Sequence, residues 1–137
     1  MNSKQINILL TGAGGYIGSR LVETILKKTA YKIVVIDPMY FGNYFPKSKR
    51  IKIINFDIRD ITTKNFPSNI DYVIDLAAIS NDPSGEKFKK STFEINFKGR
   101  LNIARLASLN NVKHYIMPSS SSIYGRIPNN KIADEGA

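Results

Sequence analysis

The chain has no cysteine. That absence excludes disulfide cross-links, thiolate metal sites and a cysteine nucleophile. It carries a single histidine, His114, at the start of an apolar segment, where it reads as structural, and no metal site is expected. Long apolar runs are missing as well. None approaches the roughly 20 residues of a membrane span, so no membrane partner is expected. Acidic residues are scarce, 11 against 20 Lys and Arg, for a net charge of +9. The basic residues are scattered (Lys27-Lys28, Lys47, Lys49-Arg50, Lys87, Lys89-Lys90, Lys113) instead of forming one stripe. No nucleic-acid signature accompanies them, so nucleic acid is not expected as a partner. A positive field would still attract a ligand carrying phosphates. Met1 to Gln5 lead straight into the first apolar run and leave no room for a signal peptide, which sets the expected location as cytoplasmic.

What is present is a glycine-rich turn between two apolar segments. Ile6 to Leu10 reads as a buried strand, and Ile17, Leu21, Ile25 and Leu26 recur at helical spacing. Between them stands Thr11-Gly12-Ala13-Gly14-Gly15-Tyr16-Ile17-Gly18. A strand, a glycine turn and a helix in that order make a phosphate cradle. Gly12 allows the sharp exit from the strand because a residue without Cβ takes positive φ cheaply. Gly15 lets the backbone approach a pyrophosphate, and Gly18 lets the helix sit close to the sheet. The helix N-terminus then offers N–H groups and its positive dipole end. The run Lys32 to Ile36 ends at Asp37, 19 positions after Gly18. A carboxylate about 20 residues on is where the dinucleotide fingerprint places its ribose ligand. An anion there repels a 2′-phosphate and no arginine follows directly, so NAD is favoured over NADP. The plainer alternative for Asp37 is a turn residue before Pro38.

The 137 residues suffice for one domain, residues 1–137, with 42% hydrophobic and 10% aromatic content typical of a globular protein. Strands are expected at Lys32–Ile36, Ile51–Phe56, Asp71–Ala78 and Val112–Met117. Pro38–Lys49 is a loop that either covers an adenine or packs on the surface. Ile79–Lys90 reads as a polar loop. A long helix is expected over about Ser91–Asn110, with Phe93, Phe97, Leu101, Ala104 and Ala107 as its buried stripe. The last dozen residues read as loop. Strands alternating with helices predict an α/β, Rossmann-like, doubly wound parallel sheet of about five strands in the order 3-2-1-4-5. Its ligand crevice then lies where the order reverses. Gly12, Asp37, Asp57, Ala77 and Ser120 all fall at C-terminal strand ends, which predicts a nucleotide site.

Taken together, these residues resemble the extended short-chain dehydrogenase/reductases, in particular the NAD-dependent sugar-nucleotide epimerase/dehydratase group typified by UDP-glucose 4-epimerase. The resemblance runs from Asn7 to Gly125. It rests on Thr11-Gly12 to Gly18, Asp37, Asp57-Ile58-Arg59, Leu76-Ala77-Ala78, Asn96-x-x-Gly99 and Ser119-Ser120-x-x-x-Tyr124-Gly125. It implies that Gly12, Gly15 and Gly18 form the cradle and that Tyr16 and Ile17 give N–H groups to the pyrophosphate. Asp37 would bind the adenosine ribose, and Asp57 with Ile58 would bracket the adenine. Leu76, Ala77, Ala78 and Ser80 would line the cofactor, with Asn96 facing it from the helix. Ser120 matches the residue that hydrogen-bonds the reacting sugar hydroxyl, although a turn serine more commonly satisfies local backbone.

Two departures from the family pattern stand out. Ser121 and Ser122 occupy places where dehydratases carry acidic residues, which disfavours elimination. Asp75 stands where relatives commonly have histidine. The Tyr-x-x-x-Lys pair that removes the hydroxyl proton in relatives is absent, and four residues after Tyr124 comes Pro128. The expectation is therefore the NAD-binding portion of a nucleotide-sugar epimerase or related reductase, truncated before its C-terminal substrate domain and inactive alone. The alternative is a non-catalytic dinucleotide-binding module, a redox sensor or one subunit of a split enzyme. A nucleotide-sugar is the expected substrate of the full-length protein. An uncovered apolar edge and helix face predict a homodimer or aggregation.

Overall fold

In the computed structural model, which describes residues 5–125 and Asp134, five strands form one parallel sheet. They are β1 (Asn7–Thr11), β2 (Lys32–Ile36), β3 (Ile51–Ile54), β4 (Tyr72–Asp75) and β5 (His114–Ile116), in the order β3-β2-β1-β4-β5. The order agrees with the expected 3-2-1-4-5. The expected loop over the last dozen residues lies almost wholly outside the described residues.

Register explains the two cores. Leu9 pairs with Val34 and Val73, which puts these side chains on one face of the sheet. There they join Ile103, Leu106 and Ala107 of a helix. Leu10 pairs with Val35 and Ile74 on the other face and packs with Val22 and Ile25 of helix α1 (Tyr16–Lys28). Leu9, Leu10, Val22, Val35 and Val73 have no exposed surface. Burying each such side chain contributes about 1.5–3 kcal/mol.

Several expectations need correction. The strands are shorter than read: β3 stops at Ile54 and β4 at Asp75, where the chain turns into the crevice and pairing lapses, while β4 begins at Tyr72 and β5 covers only His114–Ile116, the residues that pair with β4. Ile17 is exposed. The close seat of Gly18 on Ala13 puts Gly18, Val22 and Ile25 inward and turns Ile17 to the rim. Within the segment read as a loop, Asp82–Lys87 forms helix α2, which Asn81 caps by accepting from the Ser84 N–H and which has Pro83 in its first turn.

The long helix begins as α3 (Lys89–Phe93), is π-helical over Glu94–Gly99 and continues as α4 (Arg100–Leu109). Its buried side is Gly99, Ile103, Leu106 and Ala107; of the expected stripe, Ala107 is buried and Ala104 half-buried, whereas Phe93, Phe97 and Leu101 are exposed. The wider π turn rotates the face presented to the sheet, so a stripe counted at α-helical spacing points the wrong way.

Candidate functional site

The cradle is built from backbone. Gly12 has φ of 64°, and a Cβ there would lie 2.6 Å from the Ala77 nitrogen. The left-handed backbone and the close approach of the segment after β4 both require glycine. The Gly12 N–H bonds the Ile36 carbonyl at 3.1 Å, and the Gly15 N–H bonds the Gly12 carbonyl at 3.2 Å. A Cβ on Gly18 would sit 2.5 Å from Ala13 Cα, so this contact seats the helix directly on the turn. At the start of α1, Gly15 offers no side-chain cap and the first turn holds no acidic residue. The first N–H groups of a helix have no intrahelical acceptor. This N-terminus is thus open to an anion, with exposed Tyr16 and Ile17 at its rim.

Asp37 stands just past β2, 7% exposed. One carboxylate oxygen accepts from Gly14 N–H at 2.8 Å and the other from Met39 N–H at 2.6 Å. Each oxygen keeps a further acceptor site, which suits a pair of vicinal ribose hydroxyls. The turn role and the ligand role of Asp37 are therefore compatible. Gly14 was not among the expected site residues, yet a Cβ there would meet the carboxylate at 2.8 Å. Only the folded pairing of turn and strand end shows this. Beside it, Gly14, Gly15, Tyr16 and Ser19 line a cavity of about 320 Å³ with Phe41, Gly42, Tyr44 and Phe45 of the following loop.

Asp57 caps a 3-10 turn, Ile58–Asp60, beyond β3. Arg59 grips its carboxylate through N–H, Nε and Nη2 at 2.7–3.0 Å and also reaches Glu94 at 3.3 Å. Hydrogen bonding to Arg59 holds the Asp57 carboxyl below its usual range. Most of its acceptor capacity is committed to Arg59. Ile58 is buried against Gly99, so only its backbone remains to contact a ligand.

Beyond β4, the Leu76 N–H donates to the Thr11 carbonyl at 3.1 Å and the Ala77 N–H to Thr11 Oγ1 at 3.3 Å. Ala78 and Ser80 are exposed. Asn96 reaches over from the π segment and pairs with both backbone groups of Ile79, each at 2.8 Å. It holds the strand-end loop in place and keeps one amide proton and one lone pair spare. Ser80 and Asn96 also line an open cavity of about 720 Å³ with Asn81, Asp82 and Glu86.

Ser120 is exposed and accepts from the Ser122 N–H at 3.2 Å, capping a 3-10 turn over Ser121–Tyr124. Among the described residues nothing accepts its own proton, which a ligand could take. His114 lies at the opposite end of β5 from this turn and stacks on Tyr72 with ring centroids 5.7 Å apart. Asp75 was missed as a structural centre. It has no exposed surface and is engaged by Thr11, Tyr115 and Arg100. No local sequence signal marks it, because its partners come from three other elements.

Among the described residues, no helix is long and apolar enough to cross a membrane. The NAD dependent epimerase/dehydratase family matches residues 8–136. The UDP-glucose 4-epimerase of Lactobacillus helveticus is 28% identical over 123 residues, covering 88% of this chain and 37% of that protein. Among solved structures, the UDP-N-acetylglucosamine 4-epimerase from Methanobrevibacter ruminantium in complex with UDP-N-acetylmuramic acid superposes with a TM-score of 0.83. It is 28% identical and covers 97% of this chain and 44% of its own. The Thermus thermophilus UDP-glucose 4-epimerase complex with NAD gives 0.79 at 25% identity, covering 96% and 43%. The chain thus spans less than half the length of these relatives.

Proposed function

Because the chain belongs to the NAD-dependent epimerase/dehydratase family, we propose that it is the NAD-binding portion of a nucleotide-sugar epimerase or related reductase. The observation that carries this reading is the opening of the uncapped, acid-free N-terminus of α1 beside Asp37, whose two oxygens are oriented by Gly14 and Met39. That pairing suits a pyrophosphate next to a ribose. In this reading the N–H groups of Tyr16 and Ile17 bind the pyrophosphate and Asp37 accepts from the ribose hydroxyls. The carboxylate there disfavours a 2′-phosphate, and so NADP. Ile58 and Asp57 border the adenine, while Leu76, Ala77, Ala78 and Ser80 line the remainder of the cofactor. Asn96 keeps that lining in place through Ile79. When bound, NAD supplies reversible hydride transfer at a sugar carbon.

Ser120 would orient the reacting hydroxyl by hydrogen bonding. Ser121 and Ser122 bring no carboxylate to the site, which favours epimerisation or reduction over elimination. These 137 residues contain no Tyr-x-x-x-Lys pair. The proton acceptor of the reaction is therefore assigned to a group outside this sequence. Isothermal titration of the purified chain with NAD and NADP, alongside an assay with a UDP-sugar, tests the reading. NAD binding in preference to NADP without turnover is expected. Absence of NAD binding overturns the cofactor assignment, and turnover overturns the placement of the proton acceptor. The exposed ridge of Phe93, Phe97 and Leu101 supports pairing with a second copy, which sedimentation velocity of wild type and Phe97→Glu compares directly.

A further inference from the structure

We propose that Asp75 is a positioning residue that ties the phosphate cradle to the Ser120 turn through Thr11, Tyr115 and Arg100. What the two loops hold rests on the cofactor reading above; the tie itself is read from the side chains. Register puts Asp75 opposite Thr11 on the sheet face covered by α4, where Asp75 has no exposed surface. A lone carboxylate buried there would be strongly unfavourable, and the surroundings are built to hold it.

One arm runs to the cradle. Thr11 Oγ1 donates its only proton to Asp75 Oδ1, which fixes the hydroxyl rotor. The lone pairs then face the Ala77 N–H, which donates to Thr11 Oγ1 at 3.3 Å. Asp75 thereby sets how Thr11, the residue before Gly12, is joined to the lining segment after β4. The other arm runs to the serines. Tyr115 donates its hydroxyl proton to Asp75 Oδ2, and Arg100 Nε lies 3.5 Å from the same oxygen. Arg100 Nη2 donates to the Asp75 carbonyl at 3.0 Å and to the Pro118 carbonyl at 3.4 Å. Pro118 stands two residues before Ser120.

Strand pairing cannot do this work. The last pairs are Thr11 with Asp75 and Ile74 with Ile116, so both loops begin where the ladder has ended. An apolar residue in place of Asp75 would fill the space but leave the Thr11 hydroxyl, the Tyr115 hydroxyl and Arg100 without their shared acceptor. Arg100 Nε, buried and without a hydrogen-bond partner among the described residues, would then lose its counter-charge as well. The four side chains depend on one another, and they span β1, β4, β5 and α4.

The test is amide hydrogen exchange on the 137-residue chain, in wild type and in Tyr115→Phe, Thr11→Val and Thr11→Ser variants. Thr11→Val cuts the cradle arm, and Tyr115→Phe removes one of the two groups that hold Asp75 Oδ2, leaving the serine arm to hang on Arg100 alone; both keep the Asp75–Arg100 pair. Each should speed exchange at both ends, at Ala77 and at Ser122 and Ile123, by about fivefold, the factor that a lost buried hydrogen bond commonly represents. Amides of Val22 to Ile25 and Ile33 to Val35 should keep their rates. Thr11→Ser, which retains the hydroxyl, should behave as wild type. Effects confined to the substituted end, a uniform acceleration across the chain, or no change at the far end would overturn the proposal. A parallel NAD titration of wild type judges the cofactor reading separately: no binding removes that reading, while the exchange pattern still decides the tie.

Discussion

The two halves of the sheet hold their loops by different means. Around β1, α1 and β2, position comes from backbone packing. Gly12 lies against Ala77, Gly18 lies against Ala13, and Leu10, Val22 and Val35 are fully buried behind them. Around β4, α4 and β5, position comes from the Asp75 cluster of charge and hydroxyls. The second half also leaves Phe93, Phe97, Leu101, Ile116 and Met117 exposed. A cradle for a phosphate needs a fixed shape, and close-packed backbone gives one with little freedom. In the proposed reading, a hydroxyl is oriented by a side chain on the exposed Ser120 turn, and only directional polar contacts reach past the end of the ladder.

The sharpest way to break this contrast is to remove a charge from the second half and to add a methyl group to the first. Arg100→Met leaves Asp75 buried without its cation, and should lower the unfolding free energy by about 3–5 kcal/mol. Urea denaturation monitored by circular dichroism reads the loss. Adding Asp75→Leu to that variant should restore part of it, since an ion pair removed whole is often tolerated. Gly12→Ala should cost about 2–4 kcal/mol in the same assay, from the left-handed backbone and from overpacking against Ala77. No second substitution should recover that loss, because the methyl would meet backbone. If a side-chain change elsewhere rescues Gly12→Ala, the cradle is not held by backbone packing.

The cradle half was legible because its signals are local. Gly12, Gly15 and Gly18 mark the turn, Asp37 follows at the expected distance, and apolar runs locate the strands whose order is β3-β2-β1-β4-β5. The second half was less so. The stripe of Phe93, Phe97 and Leu101 misleads because the π turn over Glu94–Gly99 changes the helical repeat before the helix reaches its packed part. Helix α2 was hidden by its polar composition, although Asn81 and Pro83 are ordinary start signals. Asp75 reads as one more strand residue until register brings Thr11, Tyr115 and Arg100 around it.

At the cradle itself, Asp37→Ala probes recognition more than packing. The substitution removes the carboxylate that accepts from Gly14 and Met39 and that is assigned to the ribose. NAD affinity should fall about ten- to a hundredfold, as expected when hydrogen bonds to a charged group are lost. NADP affinity should fall less, because repulsion of its 2′-phosphate is relieved. Titration calorimetry with both cofactors gives the ratio, and an unchanged ratio would place the ribose elsewhere.

The smallest effect should be visible only in alkali, and it isolates the second half. Burial, followed by the hydrogen bond to Asp75, pushes the Tyr115 phenol well above its ordinary value. A tyrosine in the unfolded chain ionises near pH 10. Below that pH the phenol is neutral in both states and its folded environment contributes in full. Above it, the unfolded chain releases a proton that the folded protein retains, so stability falls as pH rises toward the folded value. Urea midpoints measured between pH 9 and about pH 11 should therefore decline in wild type. In Tyr115→Phe the protein starts less stable but the decline is shallower, because one of the groups driving it is gone. Equal slopes in the two proteins would mean that Tyr115 gives up its proton as readily folded as unfolded. Asp75 would then not be holding the phenol from which one arm of its cluster is built.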